Sequence, residues 1–161
     1  MSSNDSSATP RPAANAGRDA PRTATSPPGL DRAALARLVD CFYDKVRVDP
    51  LIGPVFNAAV HDWTAHKALL TEFWASVVLR AATYRGNPLA MHKPHPIRAE
   101  HFDRWLALWR ETTRELLDSD SATVMQTYAE RIGTGMKLGL GLLDAPRRGR
   151  SLGVPIIGAP R

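Results

Sequence analysis

Between residues 31 and 142 apolar side chains recur every three or four positions, and no stretch of useful length alternates apolar with polar. Alternation is what a half-buried strand needs, whereas spacings of three and four draw one apolar stripe along a helix. The chain is therefore predicted to be all-α. Leu35, Leu38, Val39, Phe42 and Val46 follow a candidate N-cap at Asp31, and Asp49-Pro50 ends the run. Residues 50–60 hold Gly53, Pro54 and Asn57 and read as a turn or a short helical piece. A second long helix is expected over residues 62–84, where Leu69, Leu70, Phe73, Trp74, Val77 and Val78 give a wide apolar face. Gly86-Asn87-Pro88 breaks it, and residues 89–92 have room for one turn before Lys93-Pro94. A third helix over residues 98–117 carries Phe102, Trp105, Leu106, Trp109 and Leu116. A fourth, over residues 122–142, carries Val124, Met125, Tyr128, Ile132 and Met136.

Composition sets the limits of this helical region. Residues 1–30 contain five Pro, five Ser, six Ala and three Thr but no aromatic, Ile or Val, too little apolar surface to offset the entropy of ordering. Residues 1–30 are read as a disordered N-terminal extension, 31–144 as the domain, and 145–161 as a disordered tail rich in Arg, Pro and Gly. Charge follows the same division. The net charge of +5 comes from +1 in residues 1–30 and +4 in 145–161, while 31–144 balances fourteen basic residues against fourteen acidic ones. A nucleic-acid reader carries its positive charge on the folded domain, and this domain is neutral. The single cysteine excludes a disulfide framework and a four-cysteine metal site within one chain. No apolar run is long enough to span a bilayer or to act as a signal peptide, so a cytoplasmic location is expected.

All five histidines lie between His61 and His101, and all eleven aromatics between Phe42 and Tyr128. His66 precedes Leu70 by four residues and Phe73 by seven, which places it on the apolar face of its helix. Such a histidine either edges a core or faces a bound ligand. His92 ends the short turn between Asn87-Pro88 and Lys93-Pro94, a rigid setting for an imidazole that suits either a solvent-exposed loop histidine or a haem iron ligand. His95, between Pro94 and Pro96, competes with it. No zinc spacing links these histidines with Cys41. Tyr43 lies one position off the main stripe of its helix and needs a hydroxyl partner if buried. Trp105 and Trp109, four apart, offer indole N–H groups that only donate. The glycines of Gly133-Thr-Gly135-Met-Lys-Leu-Gly139 follow no strand and fit no phosphate-binding spacing, so they are read as sites of close helix approach or fraying.

Six segments then stand in order: Phe42-Tyr43-Asp44-Lys45-Val46-Arg47, Gly53-Pro54-Val55-Phe56-Asn57, Trp63-Thr64-Ala65-His66-Lys67-Ala68, Phe73-Trp74-Ala75, Pro88-Leu89-Ala90-Met91-His92 and His101-Phe102-Asp103-Arg104-Trp105-Leu106. Together they resemble the group III truncated haemoglobins, small bacterial globins with a two-on-two helical fold, over residues 31–142. The resemblance implies haem b (iron protoporphyrin IX) as cofactor, with His92 as the proximal iron ligand. It further implies that Phe56 packs on the porphyrin, that Trp74 and Leu70 line its cavity, and that His66 is the distal-helix histidine. Tyr43 and Trp105 become the distal polar pair that faces the ligand.

On this resemblance the expected function is reversible binding of dioxygen, and of carbon monoxide or nitric oxide, at a pentacoordinate haem iron. Hydrogen bonds to a charged acceptor are worth roughly 1.5–3 kcal/mol, so a polar distal pocket retains oxygen. Retention suits oxygen, nitric oxide or peroxide chemistry, or sensing, better than bulk oxygen transport. The implied protein binds a ligand more than it turns one over, although nitric oxide dioxygenase or peroxidase-like activity with a reductase as partner fits the same pocket. Neither nucleic acid nor membrane is an expected partner. The competing reading is a cofactor-free helical regulatory module whose basic tails contact nucleic acid or acidic partners.

Overall fold

A computed structural model of the chain describes residues 27–143, and every regular element among them is a helix. In order these are α1 (Arg32–Val48), α2 (Gly53–Ala59), α3 (Trp63–Val78), α4 (Pro88–His92), α5 (Ala99–Leu116) and α6 (Ser119–Gly139). α1 packs on α3, α5 packs on α6, and α1 also lies against α5, which gives two helix pairs stacked two on two. None of these helices is long and apolar enough to cross a membrane. The extension and tail read from composition lie outside the described residues, apart from residues 27–30. Leu30 is buried in the core, so the packed region starts one residue before the boundary drawn from composition.

Short polar side chains start most of the helices. Asp31 accepts from the Ala34 N–H at 2.7 Å, Asp62 from Ala65 at 3.0 Å, Asn87 from Ala90 at 3.1 Å and Asp118 from Ser121 at 2.9 Å, each satisfying a donor that the first turn leaves open. The Asp118 cap begins α6 at Ser119, three residues before the start expected from the apolar pattern, and the helix ends at Gly139 rather than Leu142. Gly53 allows α2 to turn tightly off α1. A β-carbon there would lie 3.0 Å from the backbone oxygens of both Val46 and Arg47.

The end of α3 departs furthest from expectation. The helix was expected to reach residue 84 but stops at Val78, because Arg80 adopts a left-handed backbone with φ of 55°. The Leu79 and Ala81 N–H groups both turn back to the Ala75 carbonyl. The chain then returns over α3, and the Tyr84 N–H donates to Ser76 Oγ at 3.1 Å. The Tyr84 ring meets Phe73 edge-on with centroids 5.2 Å apart.

One side chain joins four helices. Trp109 of α5 is fully buried, and its ring stacks on Trp74 of α3 at 4.6 Å and on Trp105 of α5 at 5.8 Å. Phe42 of α1 meets it edge-on at 4.8 Å. Its indole N–H donates to the Met125 carbonyl of α6 at 3.1 Å, so the donor is satisfied inside the core. Ion pairs fix the register from outside. Lys67 of α3 reaches both Asp40 and Asp44 of α1 at 2.7 Å, and Lys45 of α1 reaches Glu111 and Glu115 of α5 at 3.0 and 2.7 Å.

Asp49, between α1 and α2, gathers three donors. Its carboxylate accepts from the Leu51 and Ile52 N–H groups at 3.0 Å each and from Arg104 of α5 at 2.7 Å. Burial alone would raise the carboxyl pKa, but the Ile52, Arg104 and Leu51 hydrogen bonds outweigh it and hold the group below its ordinary value. A depressed folded pKa contributes stability above the unfolded carboxyl value, about pH 3.9, and loses it as pH falls through the folded value. Asp49→Asn keeps an acceptor for the two N–H groups but drops the charge. It should cost about 1–2 kcal/mol at pH 7, given a partner that is partly open to solvent. Urea titrations at pH 7 and pH 3 are the check, with the gap between wild type and variant expected to shrink at pH 3.

Candidate functional site

The apolar face of α3 is only partly used by the core. Trp74, Ala75 and Val78 are buried, whereas Leu70 and Phe73 are half-buried and Leu69 is 51% exposed. On α4, Met91 is 70% exposed. Leu69, Leu70, Phe73, Trp74 and Met91 line a cavity of about 470 Å3, bounded by residues of all six helices and of the α3–α4 and α4–α5 connections. The volume falls in the range of ligand and cofactor sites, roughly 300–1,000 Å3.

Every site residue read from the sequence lines this one cavity: Tyr43, Phe56, His66, Leu70, Trp74, His92 and Trp105. Tyr43, Phe56 and His66 form one wall, with the Tyr43 ring 5.9 Å from each of the other two. Lys67, the neighbour of His66, is the residue clamped between Asp40 and Asp44, so the same ion pairs that join α3 to α1 set the rotation at which His66 enters the cavity. Trp74 reaches the cavity from the stack with Trp109, and Trp105 from one turn before Trp109 on α5.

Sequence reasoning did not anticipate how far the histidines converge. His61, His95 and His101 line the cavity together with His66 and His92, so all five imidazoles of the chain open onto one space. Tyr84 joins them through the early turn at Arg80, and Ile132, Gly133 and Met136 bring α6 to the same wall. The clustering of all histidines within forty-one residues was the available signal. The early end of α3 was not signalled, since nothing in Leu79-Arg80-Ala81 marks a left-handed residue. The glycines of α6 divide by position: Gly133 packs on Leu106, a β-carbon on Gly139 would lie 2.8 Å from Leu89, and Gly135 is open.

Local hydrogen bonds distinguish the imidazoles. His92 Nδ1 lies 2.6 Å from the Pro88 carbonyl, which can only accept, so Nδ1 carries the proton and Nε2 keeps its lone pair. This is the usual arrangement for a metal-ligating histidine, whose second nitrogen donates to a carbonyl or carboxylate. The His95 ring has no such anchor among the described residues. Burial and then the charge of nearby His92 push the His66 pKa below its ordinary value, which favours a neutral imidazole. Tyr43 is buried, and burial drives its phenol up to about 12 against the opposing effect of a hydrogen bond from Trp105. An indole N–H is a donor only, so it engages the Tyr43 oxygen and leaves the Tyr43 O–H to donate elsewhere. Among the described residues no three of His, Cys, Asp and Glu gather to hold a free metal ion. An imidazole anchored so that Nε2 keeps its lone pair, in an apolar cavity, suits a metal that arrives inside an apolar macrocycle, and the residues present fit a haem.

Comparison with known proteins agrees with this geometry. The model of the family described as bacterial-like globin matches residues 29–132. The group 3 truncated haemoglobin ctb of Campylobacter jejuni is 33% identical over 110 residues, covering 65% of this chain and 87% of the relative. The crystal structure of the group III truncated haemoglobin from Campylobacter jejuni superposes with a TM-score of 0.67 at 30% identity, covering 72% of this chain and 95% of that one. A thermostable haemoglobin from the actinobacterium Thermobifida fusca gives a TM-score of 0.57 at 27% identity, covering 65% and 89%. The chain belongs to the bacterial-like globin family, among the group III truncated haemoglobins.

Proposed function

We propose that this chain is a haem protein that binds a diatomic gas reversibly at a pentacoordinate iron, with His92 as the iron ligand and Tyr43 as the donor to the gas. The observation that carries the reading is the His92 ring, tied through Nδ1 to Pro88 so that Nε2 keeps its lone pair, on the wall of an apolar cavity. When bound, haem b would supply an iron with one open coordination position for dioxygen, carbon monoxide or nitric oxide. The rest of the chemistry belongs to the chain. Phe56, Leu70 and Trp74 would exclude water and cover the porphyrin faces. The high phenol pKa keeps Tyr43 protonated at neutral pH, so its O–H is available to a negatively polarised ligand atom. Trp105 would act partly through Tyr43, because its N–H holds the phenol oxygen and aims the hydroxyl. His66, kept neutral, would sit between the Tyr43 wall and the opening. Family membership and a cavity lined with uncovered apolar side chains leave the cofactor-free interaction module without support.

Iron ligation is tested by His92→Gly and His95→Ala, each reconstituted with haemin. His92→Gly should lose the five-coordinate ferrous spectrum and regain it with added imidazole, while His95→Ala should match wild type. The reverse pattern would transfer the ligand to His95.

Distal donation is tested by stopped-flow oxygen release. A hydrogen bond to a charged acceptor is worth roughly 1.5–3 kcal/mol, so Tyr43→Phe should release oxygen about tenfold to a hundredfold faster. Trp105→Phe should have a smaller effect in the same direction, since it removes the aim of the hydroxyl and not the donor. Carbon monoxide, less negatively charged when bound, should leave at nearly the wild-type rate from both. An unchanged oxygen off-rate in Tyr43→Phe would remove the phenol from the ligand's surroundings.

A further inference from the structure

His101 stands apart from the other four cavity histidines because it is buried, 8% exposed, at the first turn of α5. Its Nδ1 accepts the Arg98 N–H at 3.0 Å, and its own backbone N–H returns to the Arg98 carbonyl at 3.1 Å. An imidazole nitrogen that accepts carries no proton, so the proton of the neutral ring is on Nε2. Among the described residues no acceptor meets Nε2, and no fully enclosed polar side-chain atom is left without a partner. Nε2–H is therefore not enclosed by protein, and the ring that carries it lines the cavity. A donor in a buried ring, fixed in direction by its second nitrogen, calls for an acceptor on the occupant.

The position on α5 narrows the choice of acceptor. His101 lies four residues before Trp105, which puts it on the same helix face about one turn nearer the α4–α5 connection. Trp105 and Tyr43 already form the polar pair on the gas-binding side. A haem b offers strong acceptors in only one other place, its two carboxylate side chains. We infer that His101 Nε2–H anchors a carboxylate of the porphyrin and so fixes the macrocycle's rotation in its plane. The inference rests on the haem reading above. It makes His101 a residue that binds and orients the cofactor, apart from iron ligation and from gas contact. It also accounts for the use of a histidine where an asparagine or aspartate would cap Arg98 equally well, since only the ring joins a cap acceptor at Nδ1 to a donor on its far side.

Two substitutions separate these roles. His101→Asn places an acceptor near the Nδ1 position and keeps the cap but loses the far donor. His101→Gln places an amide N–H near the Nε2 position and loses the cap. Each variant and the wild type are loaded with haemin or with haemin dimethyl ester, and cofactor release to excess apomyoglobin is timed by absorbance. His101→Asn should release haemin roughly tenfold to a hundredfold faster than wild type, the value of one bond to a charged acceptor, with His101→Gln much closer to wild type. With the ester, which lacks the charged carboxylates, wild type and His101→Asn should release at the same rate. Equal release of haemin by wild type and His101→Asn would overturn the inference while leaving the haem reading intact. An equal acceleration of haemin and ester release by His101→Asn would do the same, assigning His101 a purely structural cap. Failure of the wild-type chain to take up haemin at all would overturn the haem reading, and this inference with it.

Discussion

The contact on which the arrangement depends is the burial of Trp109 between Trp74 and Trp105, with Phe42 against its edge. Two stacked indoles and an edge-on phenyl ring hold α1, α3 and α5 at fixed separations, and the N–H bond to Met125 adds α6. Truncating a buried tryptophan typically costs about 3–5 kcal/mol, much of the stability of a domain this size. The consequences reach the cavity directly. Trp74 and Trp105 are both in the stack and both line the cavity, so the wall of the site is the outer surface of the core. A change in the stack would shift Trp105, and with it the hydroxyl of Tyr43.

Much of this was legible in the sequence because helices announce themselves locally. Asp31, Asp62 and Asn87 sit at the heads of apolar runs, and the structure uses all three as caps. The seven residues that the resemblance places around the cofactor also line one cavity. What stayed hidden was set by tertiary contact. The wide apolar face of α3 reads as one stripe, yet only Trp74, Ala75 and Val78 are buried, while Leu69, Leu70 and Phe73 line the cavity. Periodicity reports which side chains avoid water, not whether protein or a ligand covers them. The left-handed turn at Arg80 carries no glycine or asparagine to mark it, so the return of Tyr84 could not be read. His101 was visible only as part of a motif, since its burial depends on the path of α5 past α4.

The five cavity histidines illustrate how backbone geometry makes one residue type do several jobs. The Pro88 carbonyl sets the tautomer of His92 and leaves a lone pair on Nε2. The Arg98 N–H sets the opposite tautomer in His101 and leaves a donor there. His66 has neither anchor, and its surroundings act on its charge. Two backbone groups thus convert identical side chains into a Lewis base and a hydrogen-bond donor. The imidazole alone carries neither role.

The open apolar face of α3 and α4 also alters what folding means for this chain. Leu69 and Met91 are exposed on the walls of the cavity, and an occupant that covers them adds to the apolar surface the fold buries. An occupant that binds only the folded chain adds stability with its concentration, about 4.1 kcal/mol when its free level is a thousand times its dissociation constant. Folding and loading are then linked equilibria. The amount of native protein would rise with the supply of the occupant, and a shortage would appear as a larger unfolded fraction open to proteolysis.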